Sequence, residues 1–373
     1  LQYRLGAFGF LTLPGMDESA GNFGVTDTES ALAWVRRNIA NFGGDADNVV
    51  LMTESAGSTN ACRILVDPKA KGLVDGVILQ SEDCIHDVDT VKQAQARSEQ
   101  FLKLTKCDEA KDALSCVRKL TTEQVAAASK SVGLWNPVSD VPAVEAIRQG
   151  KWIKVPVLSG SNKEEGRSAG TAYTDWNAQD YEAWVKRLVG KNAPEALKLY
   201  PADKYQGKYA ISYVIGDFIT DSGMRGLGGC TNLTLAQELS KDKSVATYIY
   251  TFEDSTVPTS RKFADYDDAA SHASELTYFF PDAGQYQARS VKMTEAQKVL
   301  AKEMRQYWGN FIKTQNPNGK SLPQWKRFSD DGGSMMALRL NGQSQTVPAS
   351  YFSDLHQCKF WHAIPIVLDR GDR

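Results

Sequence analysis

The residues of this chain most able to do chemistry lie in one short stretch, TESAG at residues 53–57. An apolar, β-branched run at 48–52 precedes it, and a segment able to form a helix follows at 58–65. A serine in a sharp turn between a strand and a helix is the arrangement of a nucleophile elbow, which exposes the hydroxyl and aims helix N–H groups at the same place. Thr53 replaces the first glycine of the usual G-x-S-x-G pattern. On these residues alone, Ser55 in an ordinary turn is an equally good interpretation.

A serine nucleophile needs a base to take its proton and a third group to orient that base. In enzymes with such an elbow, the order along the chain is nucleophile, acid, histidine. Of the four histidines, His86 comes too early, and His356 and His362 flank a closing segment that we interpret as structural. His272 lies in a loop between an apolar run at 245–250 and an aromatic run. We therefore predict His272 as the general base, with an ordinary surface histidine as the alternative.

Two adjacent glutamates are candidates for the acid. Glu164 and Glu165 follow the apolar run at 155–158, where a loop should begin. The chemistry requires only a carboxylate on the far ring nitrogen of the histidine, so the residues alone leave both open, as well as a simple charged loop. The spacing of His272 and Glu275 could also suit a metal ion, but no further ligand cluster supports one, and we predict neither a metal nor a cofactor.

Composition limits the class of protein. The chain has 373 residues, of which 42% are apolar and 24% charged, enough for one large core. Its net charge is −2 and it contains no basic run, which argues against a nucleic-acid partner. Its apolar runs are much shorter than a membrane span needs, and we predict none.

The chain shows the alternation expected of an α/β fold. Strand-like apolar runs lie at residues 49–52, 74–80, 155–158 and 245–250. Their near-continuous apolar character indicates a parallel sheet covered on both faces. Segments 29–38 and 295–311 have the pattern of amphipathic helices, and 161–240 is helix-rich and polar, which predicts an excursion over one end of the sheet. Because no linker rich in proline, glycine or serine divides the sequence, we predict one domain over 1–373.

Several motifs together carry a family resemblance. They are YRLGAFGF at 3–10, GNFG at 21–24, ALAWVRRNIANFGGD at 31–45 and ESAG at 54–57. With these the chain resembles the type B carboxylesterases, which include cholinesterases and several fungal lipases. The resemblance extends over nearly the whole chain and is densest in the first 85 residues. It implies an α/β-hydrolase fold, a mostly parallel central sheet flanked by helices, and hydrolysis of carboxylic esters through an acyl-enzyme.

The resemblance also assigns roles. It implies Ser55 as nucleophile, His272 as base and, because the acid in this family directly precedes a glycine, Glu165 as the acid. The N–H of Ala56 would be one oxyanion donor. The family's other donors come from a glycine-rich loop, expected here upstream of Leu1 together with the first strands. We therefore expect a natural protein that extends before Leu1, and poor catalysis by residues 1–373 alone.

Three structural expectations accompany these roles. Without preceding strands, a strand near residues 2–4 would present an unpaired edge. Glu54 is predicted to pair with a buried base beneath the elbow, such as Arg4. Glu82 stands where the family usually has glycine, and we expect it to alter the end of the preceding strand.

The six cysteines are compatible with many connectivities, and with free thiols in a cytosolic protein. The resemblance implies three disulfides, Cys62–Cys84, Cys107–Cys116 and Cys230–Cys358. Such bonds predict a secreted, extracellular protein, and the sequon at residues 232–234 predicts a glycan on Asn232.

The leading hypothesis is therefore a secreted hydrolase of small-molecule or lipid esters, without a membrane span. The alternative is a non-catalytic, cholinesterase-like adhesion or binding module; a peptidase is less well supported. Aromatic residues could line a substrate gorge or belong to the core, and the sequence leaves this open. They are Trp135, Tyr173, Trp176, Phe279 and Phe280. The sequence identifies neither the ester nor the oligomeric state.

Overall fold

The computed structural model describes residues 1–17, 19–86, 88–258, 265–280, 292–328 and 333–365, with only the backbone of Arg225. By its internal contacts the chain forms two compact units. The first comprises Leu1–Leu51, Ala56–Asp75 and Cys84–Lys154, and the second Met52–Ser55, Gly76–Asp83 and Val155–Arg373. The expected single domain over 1–373 stays a prediction.

The described part of the first unit is mainly helical. Its α-helices are α1 (Gly6–Phe10), α2 (Phe23–Asn38), α3 (Ala56–Val66), α4 (Val91–Thr105), α5 (Ala113–Val117), α6 (Thr122–Val132) and α7 (Ala143–Arg148). Capping boxes start α4 at Thr90 and α6 at Thr121, where a threonine and a glutamine satisfy the first free N–H groups. Ala7 of α1, Phe101 of α4 and Val125 of α6 share one small apolar cluster. The predicted helix at 29–38 is the later part of α2.

The strand expected near residues 2–4 is absent from the structure, and that prediction is wrong. Residues 1–5 are irregular and lead directly into α1. Arg4 donates to Asp27 from its backbone N–H at 2.9 Å and from its guanidinium at 2.8 and 2.7 Å. The side chain of Asp27 therefore occupies the backbone donor that a strand would need for its own ladder.

The second unit holds the sheet, apart from the first two residues of its first strand, which belong to the first unit. The strands are β1 (Val50–Glu54), β2 (Gly76–Gln80), β3 (Val157–Asn162), β4 (Thr247–Phe252), β5 (Ser334–Leu338) and β6 (Gln345–Pro348). They lie in the order β1 to β6, with β2 to β5 parallel and β6 antiparallel to β5. Every residue of β2, β3 and β4 is buried, as expected for strands covered on both faces. The predicted mostly parallel α/β fold is confirmed.

Helices of the second unit cover this sheet. In the described ranges they are α8 (Ala178–Val189), α9 (Ala193–Leu199), α10 (Ala210–Ser222), α11 (Gly229–Ser240), α12 (Leu276–Phe279), α13 (Glu295–Thr314), α14 (Ala349–Leu355) and α15 (Cys358–Trp361). The helix-rich segment predicted at 161–240 contains α8 to α11. Trp184 of α8 and Phe218 of α10 share one apolar cluster with Ile249 of β4 and Ala337 of β5, so the segment packs onto the strands.

All six cysteines form disulfides, in the three pairs that the resemblance implies. Cys62–Cys84 and Cys107–Cys116 lie within the first unit, whereas Cys230–Cys358 joins the start of α11 to the start of α15 in the second. The described residues include no helix with the length and apolar character needed to cross a lipid bilayer.

The loop closed by each disulfide predicts how much it stabilises the fold. The Cys230–Cys358 bond spans 128 residues and the Cys107–Cys116 bond only 9. In the chain-entropy model, replacing both cysteines of a pair by alanine should lower the free energy of unfolding by about 5 kcal/mol for the long loop and about 2.5 kcal/mol for the short one. Urea unfolding followed by tryptophan fluorescence measures both. Equal losses in the two double variants would contradict this ranking.

Candidate active site

Ser55 occupies a strained turn directly after β1. Its φ of 53° is in the left-handed region, which costs free energy for a residue with a side chain. Its N–H donates to the carbonyl of Gln80 at 3.0 Å, and the Thr53 hydroxyl donates to the carbonyl of Ile78 at 2.8 Å. Both bonds tie the end of β1 to β2. The threonine therefore fits at the elbow and helps to hold it.

Three residues predicted from the sequence lie in one line of hydrogen bonds. The Ser55 Oγ is 2.7 Å from Nε2 of His272, and Nδ1 of His272 is 2.8 Å from Oε2 of Glu165. The side chain of His272 is 20% exposed and that of Glu165 is fully buried. Because Nδ1–H faces the carboxylate, the neutral ring presents the lone pair of Nε2 to the serine hydroxyl.

The carboxylate of Glu165 is fixed by further donors. The Ser81 hydroxyl and the Asn162 backbone N–H each donate to Oε1 at 2.6 Å. Gly228, before α11, has a φ of 71°, and a Cβ there would lie 2.6 Å from the Glu165 Cγ, so only glycine fits this approach. The sequence analysis missed Ser81 and Asn162 as supports. Their signal is positional, since both lie at the carboxyl ends of adjacent parallel strands.

The neighbouring Glu164 has a different task. Its carboxylate accepts from the Ser255 hydroxyl at 3.0 Å and from the Ala270 N–H at 3.1 Å. Ala270 lies two residues before His272, so Glu164 holds the histidine loop while Glu165 holds the ring. The structure therefore separates two glutamates that the residues alone left open.

Glu54 lies beside the histidine, which corrects the expected pairing with Arg4. Its Oε1 is 3.3 Å from Nε2 of His272, whereas Arg4 forms its ion pair with Asp27 within the first unit. The turn at Ser55 brings the preceding side chain round to the same ring nitrogen. Sequence reasoning missed this because adjacent residues of an extended strand point to opposite faces.

A fourth glutamate, Glu275, lies beneath the site and is fully buried. It accepts hydrogen bonds from Nε2 of Gln80 at 2.8 Å and Nδ2 of Asn162 at 2.6 Å, and Trp308 donates to Oε1 of Gln80 at 3.2 Å. The carboxylate of Glu275, which the sequence spacing considered as a metal ligand, thus accepts hydrogen bonds from two side-chain amides instead. No group of three metal-binding side chains occurs among the residues the structure describes.

Burial and charge oppose each other at His272. Burial lowers the pKa of the imidazole, but the hydrogen bond to Glu165 and the charges of Glu165, Glu54 and Glu275 outweigh it and raise the pKa to about 9. Burial raises the pKa of Glu54 above its ordinary range, and the nearby His272 opposes that rise. The free site therefore holds a proton on the imidazole to a higher pH than an ordinary histidine would.

The remaining predicted residues lie outside this line of hydrogen bonds. Ala56 is exposed and is the first residue of α3. The N–H groups of the first turn of a helix have no intrahelical acceptor, and the Ala56 N–H is one of these. Asn232 is only 1% exposed, and its Nδ2 donates to the carbonyl of Glu82 at 3.1 Å. The predicted glycan on Asn232 is thus incompatible with the folded structure, because the nitrogen that would carry it is enclosed. Tyr173 and Trp176 belong to the apolar cluster of the second unit.

Comparisons with known proteins find similar chains over most of the sequence. The model of the carboxylesterase family matches residues 1–361. Human (Homo sapiens) cocaine esterase is 26% identical over 97% of this chain and 65% of its own length. Cholinesterase of Mus musculus is 25% identical over 99% of this chain and 64% of its own length. Pyrethroid hydrolase Ces2e of Rattus norvegicus is 26% identical over 93% of this chain and 65% of its own length. The chain thus spans slightly less than two thirds of the length of these relatives.

The charges around His272 predict its titration. In protein labelled with ¹⁵N-histidine, the ring of His272 should titrate near pH 9, above the ordinary value of about 6.5. Glu54→Gln removes a carboxylate 3.3 Å from Nε2 and should lower that pKa. Because the pKa of His272 is higher in the folded than in the unfolded protein, its protonation increases the free energy of unfolding. This stabilisation is complete below a pH of about 6.5 and is lost as the pH rises through about 9.

The control is Glu182→Gln, which removes an exposed carboxylate of α8 paired with Lys186 and should leave the His272 titration in place. Titration of His272 at or below the ordinary value, or an upward shift in Glu54→Gln, would refute this account of the electrostatics.

Proposed function

The chain belongs to the carboxylesterase family, and on that premise we propose that it hydrolyses carboxylic esters through an acyl-enzyme on Ser55. The observation that carries the proposal is the line from Ser55 Oγ through His272 to the buried carboxylate of Glu165. Relatives named as a cocaine esterase, a cholinesterase and a pyrethroid hydrolase support the same reaction class.

The proposed reaction has two halves. Ser55 Oγ attacks the acyl carbonyl as Nε2 of His272 takes its proton, and the imidazolium then protonates the departing alcohol oxygen. Water next attacks the acyl-enzyme, giving a proton to His272, and the carboxylic acid leaves as Ser55 recovers its proton. Glu165 keeps the ring in the required tautomer and stabilises the imidazolium. The oxyanion role of Ala56 stays a prediction that rests on the family resemblance.

The alternative of a non-catalytic binding module is less well supported, because such a module has no need of a strained serine within 2.7 Å of an oriented imidazole. Three disulfides support a secreted, extracellular location. We propose small-molecule or lipid esters as substrates and no nucleic-acid partner.

A fluorophosphonate probe tests the nucleophile. The probe should label Ser55 and stop hydrolysis of p-nitrophenyl esters, because His272 activates that hydroxyl. Ser55→Ala and His272→Ala should each lower kcat by a factor on the order of 10⁶, since triad members act as a unit. Ser131→Ala, an exposed serine of α6, should keep both labelling and turnover. Hydrolysis that survives in Ser55→Ala would overturn the assignment.

The two adjacent glutamates offer a matched test of the acid. Glu165→Gln keeps the shape but removes the charge that fixes the His272 tautomer, so kcat should fall by about 10⁴. Glu164→Gln retains an acceptor for Ser255 and Ala270 and should lose less than about tenfold. Thermal unfolding of both variants checks that each is folded. A larger loss in Glu164→Gln than in Glu165→Gln would show that the acid is misassigned.

A further inference from the structure

Two asparagine–glycine pairs occur in the chain, Asn318–Gly319 and Asn341–Gly342. In such a pair the glycine has no side chain, so its backbone nitrogen can approach the side-chain amide carbon of the asparagine closely. Attack at that carbon forms a five-membered succinimide ring as ammonia leaves, and water then opens the ring to aspartate or isoaspartate. Asparagine is accordingly one of the thermolabile residues of proteins. The surroundings of the two pairs decide which of them can react in the folded chain.

The side-chain amide of Asn318 is fixed by three hydrogen bonds. Its Nδ2 donates to Oδ1 of Asn316 at 2.8 Å and to the carbonyl of Trp325 at 2.9 Å, and its Oδ1 accepts from the Trp325 N–H at 2.7 Å. Its backbone carbonyl accepts from Nδ2 of Asn310 at 3.3 Å, and a Cβ at Gly319 would lie 2.5 Å from that same nitrogen. Rotation of this amide toward the glycine nitrogen would break these bonds in a crowded place.

Asn341 lies in the tight turn that joins β5 to β6. The φ angles of Asn341 and Gly342 are 60° and 67°, as in a type I′ turn. One hydrogen bond closes the turn, from the N–H of Gln343 to the carbonyl of Leu340 at 3.2 Å. The residues from 341 to 343 are exposed, and a Cβ at Gly342 would meet nothing within 4 Å. In the ranges that the structure describes, neither the Asn341 amide nor the Gly342 N–H forms a hydrogen bond.

The same reaction therefore meets different obstacles at the two pairs. At Asn318 several hydrogen bonds must break, whereas at Asn341 only the single bond of the turn opposes the rearrangement. We propose that Asn341 is a site of spontaneous deamidation in the folded protein, which converts it to a mixture of isoaspartate and aspartate, and that Asn318 keeps its amide. This inference is independent of the proposed function.

The step balances with water as the only co-reactant. The Gly342 nitrogen forms a bond to Cγ of Asn341, the bond from Cγ to Nδ2 breaks, and Nδ2 leaves as ammonia with the proton of the glycine N–H. Water then cleaves the ring. Breaking the new bond at Cγ gives aspartate, and breaking the original peptide bond gives isoaspartate, whose main chain continues through Cγ. Because the attacking nitrogen must lose a proton, the reaction should be faster at higher pH.

The two products should affect the hairpin differently. Isoaspartate adds one methylene to the main chain of a tight turn. Directly behind this turn, the hydroxyl of the buried Ser344 accepts from the Arg339 N–H at 3.1 Å and donates to its carbonyl at 3.3 Å. The longer chain should disturb these bonds and the pairing of β6 with β5. Aspartate keeps the ordinary backbone and tolerates the left-handed conformation at 341, so it should leave the hairpin intact.

Peptide mapping of the full chain tests the site. Trypsin cleavage at Lys320 and Arg339 places the two asparagines in separate peptides. In folded protein kept at pH 8 and 37 °C, mass spectrometry should detect exchange of the amide for a carboxyl several-fold faster at Asn341 than at Asn318, and faster still at pH 9. A sample digested without incubation corrects for reaction during the digest.

Unfolding supplies the matched control. In urea the bonds that fix Asn318 are lost, so both asparagines should react at similar rates, and the difference in the folded chain is then due to structure. Asn341→Gln should leave its peptide unmodified, because a longer side chain forms the ring far less readily. The proposal is overturned if Asn341 reacts in urea but stays intact in the folded chain, or if Asn318 reacts as fast as Asn341 in the folded chain.

Thermal unfolding tests the effect on the hairpin separately. Ion exchange separates the modified chains, which carry one additional negative charge, and Asn341→Asp provides the same charge on an ordinary backbone. The isoaspartyl form should have a lower Tm than the unmodified chain, and Asn341→Asp should keep the Tm of the unmodified chain. Equal Tm values for the isoaspartyl and unmodified forms would refute the predicted effect on the hairpin, while the peptide map still decides whether Asn341 is the site.

Discussion

The hydrogen bond between Glu165 and Nδ1 of His272 is the interaction on which the site depends. A carboxylate with no solvent exposure is costly unless donors surround it, and here Ser81, Asn162 and the imidazole supply them. These donors come from the ends of β2 and β3 and from the loop after β4. Parallel pairing of three adjacent strands therefore positions the acid independently of any contact with Ser55.

The same neighbourhood sets the charge of the histidine. Desolvation alone would lower the pKa of the imidazole and favour its neutral form. The carboxylates of Glu165, Glu54 and Glu275 have the larger, opposite effect and raise the pKa to about 9. A base that holds its proton so firmly is poorly poised in the free protein. Of the three carboxylates, Glu54 is the one beside Nε2, so any loss of its negative charge would lower the pKa of the imidazole and bring the base closer to its working state.

Much of this was predictable from the sequence, for local reasons. The apolar run before Ser55, the amphipathic pattern at 295–311 that became α13 and the apolar run at 245–250 that became β4 each carry their own signal. Order along the chain selected His272. The features that the sequence did not predict depend on tertiary contacts. The strands β5 and β6 are short and weakly patterned, the orientation of Glu54 follows from a strained turn, and the burial of Asn232 is invisible in a sequon.

The segment after β3 shows how one short stretch can serve several neighbours. Glu164 binds the histidine loop, Glu165 binds the histidine ring, and the guanidinium of Arg167 stacks on the rings of Tyr205 and Tyr213. Ligands of α/β sheets bind outside the carboxyl ends of the strands, where such segments emerge. Because these three residues lie within four consecutive positions, one short backbone segment sets the placement of the acid, of the histidine loop and of the buried guanidinium together.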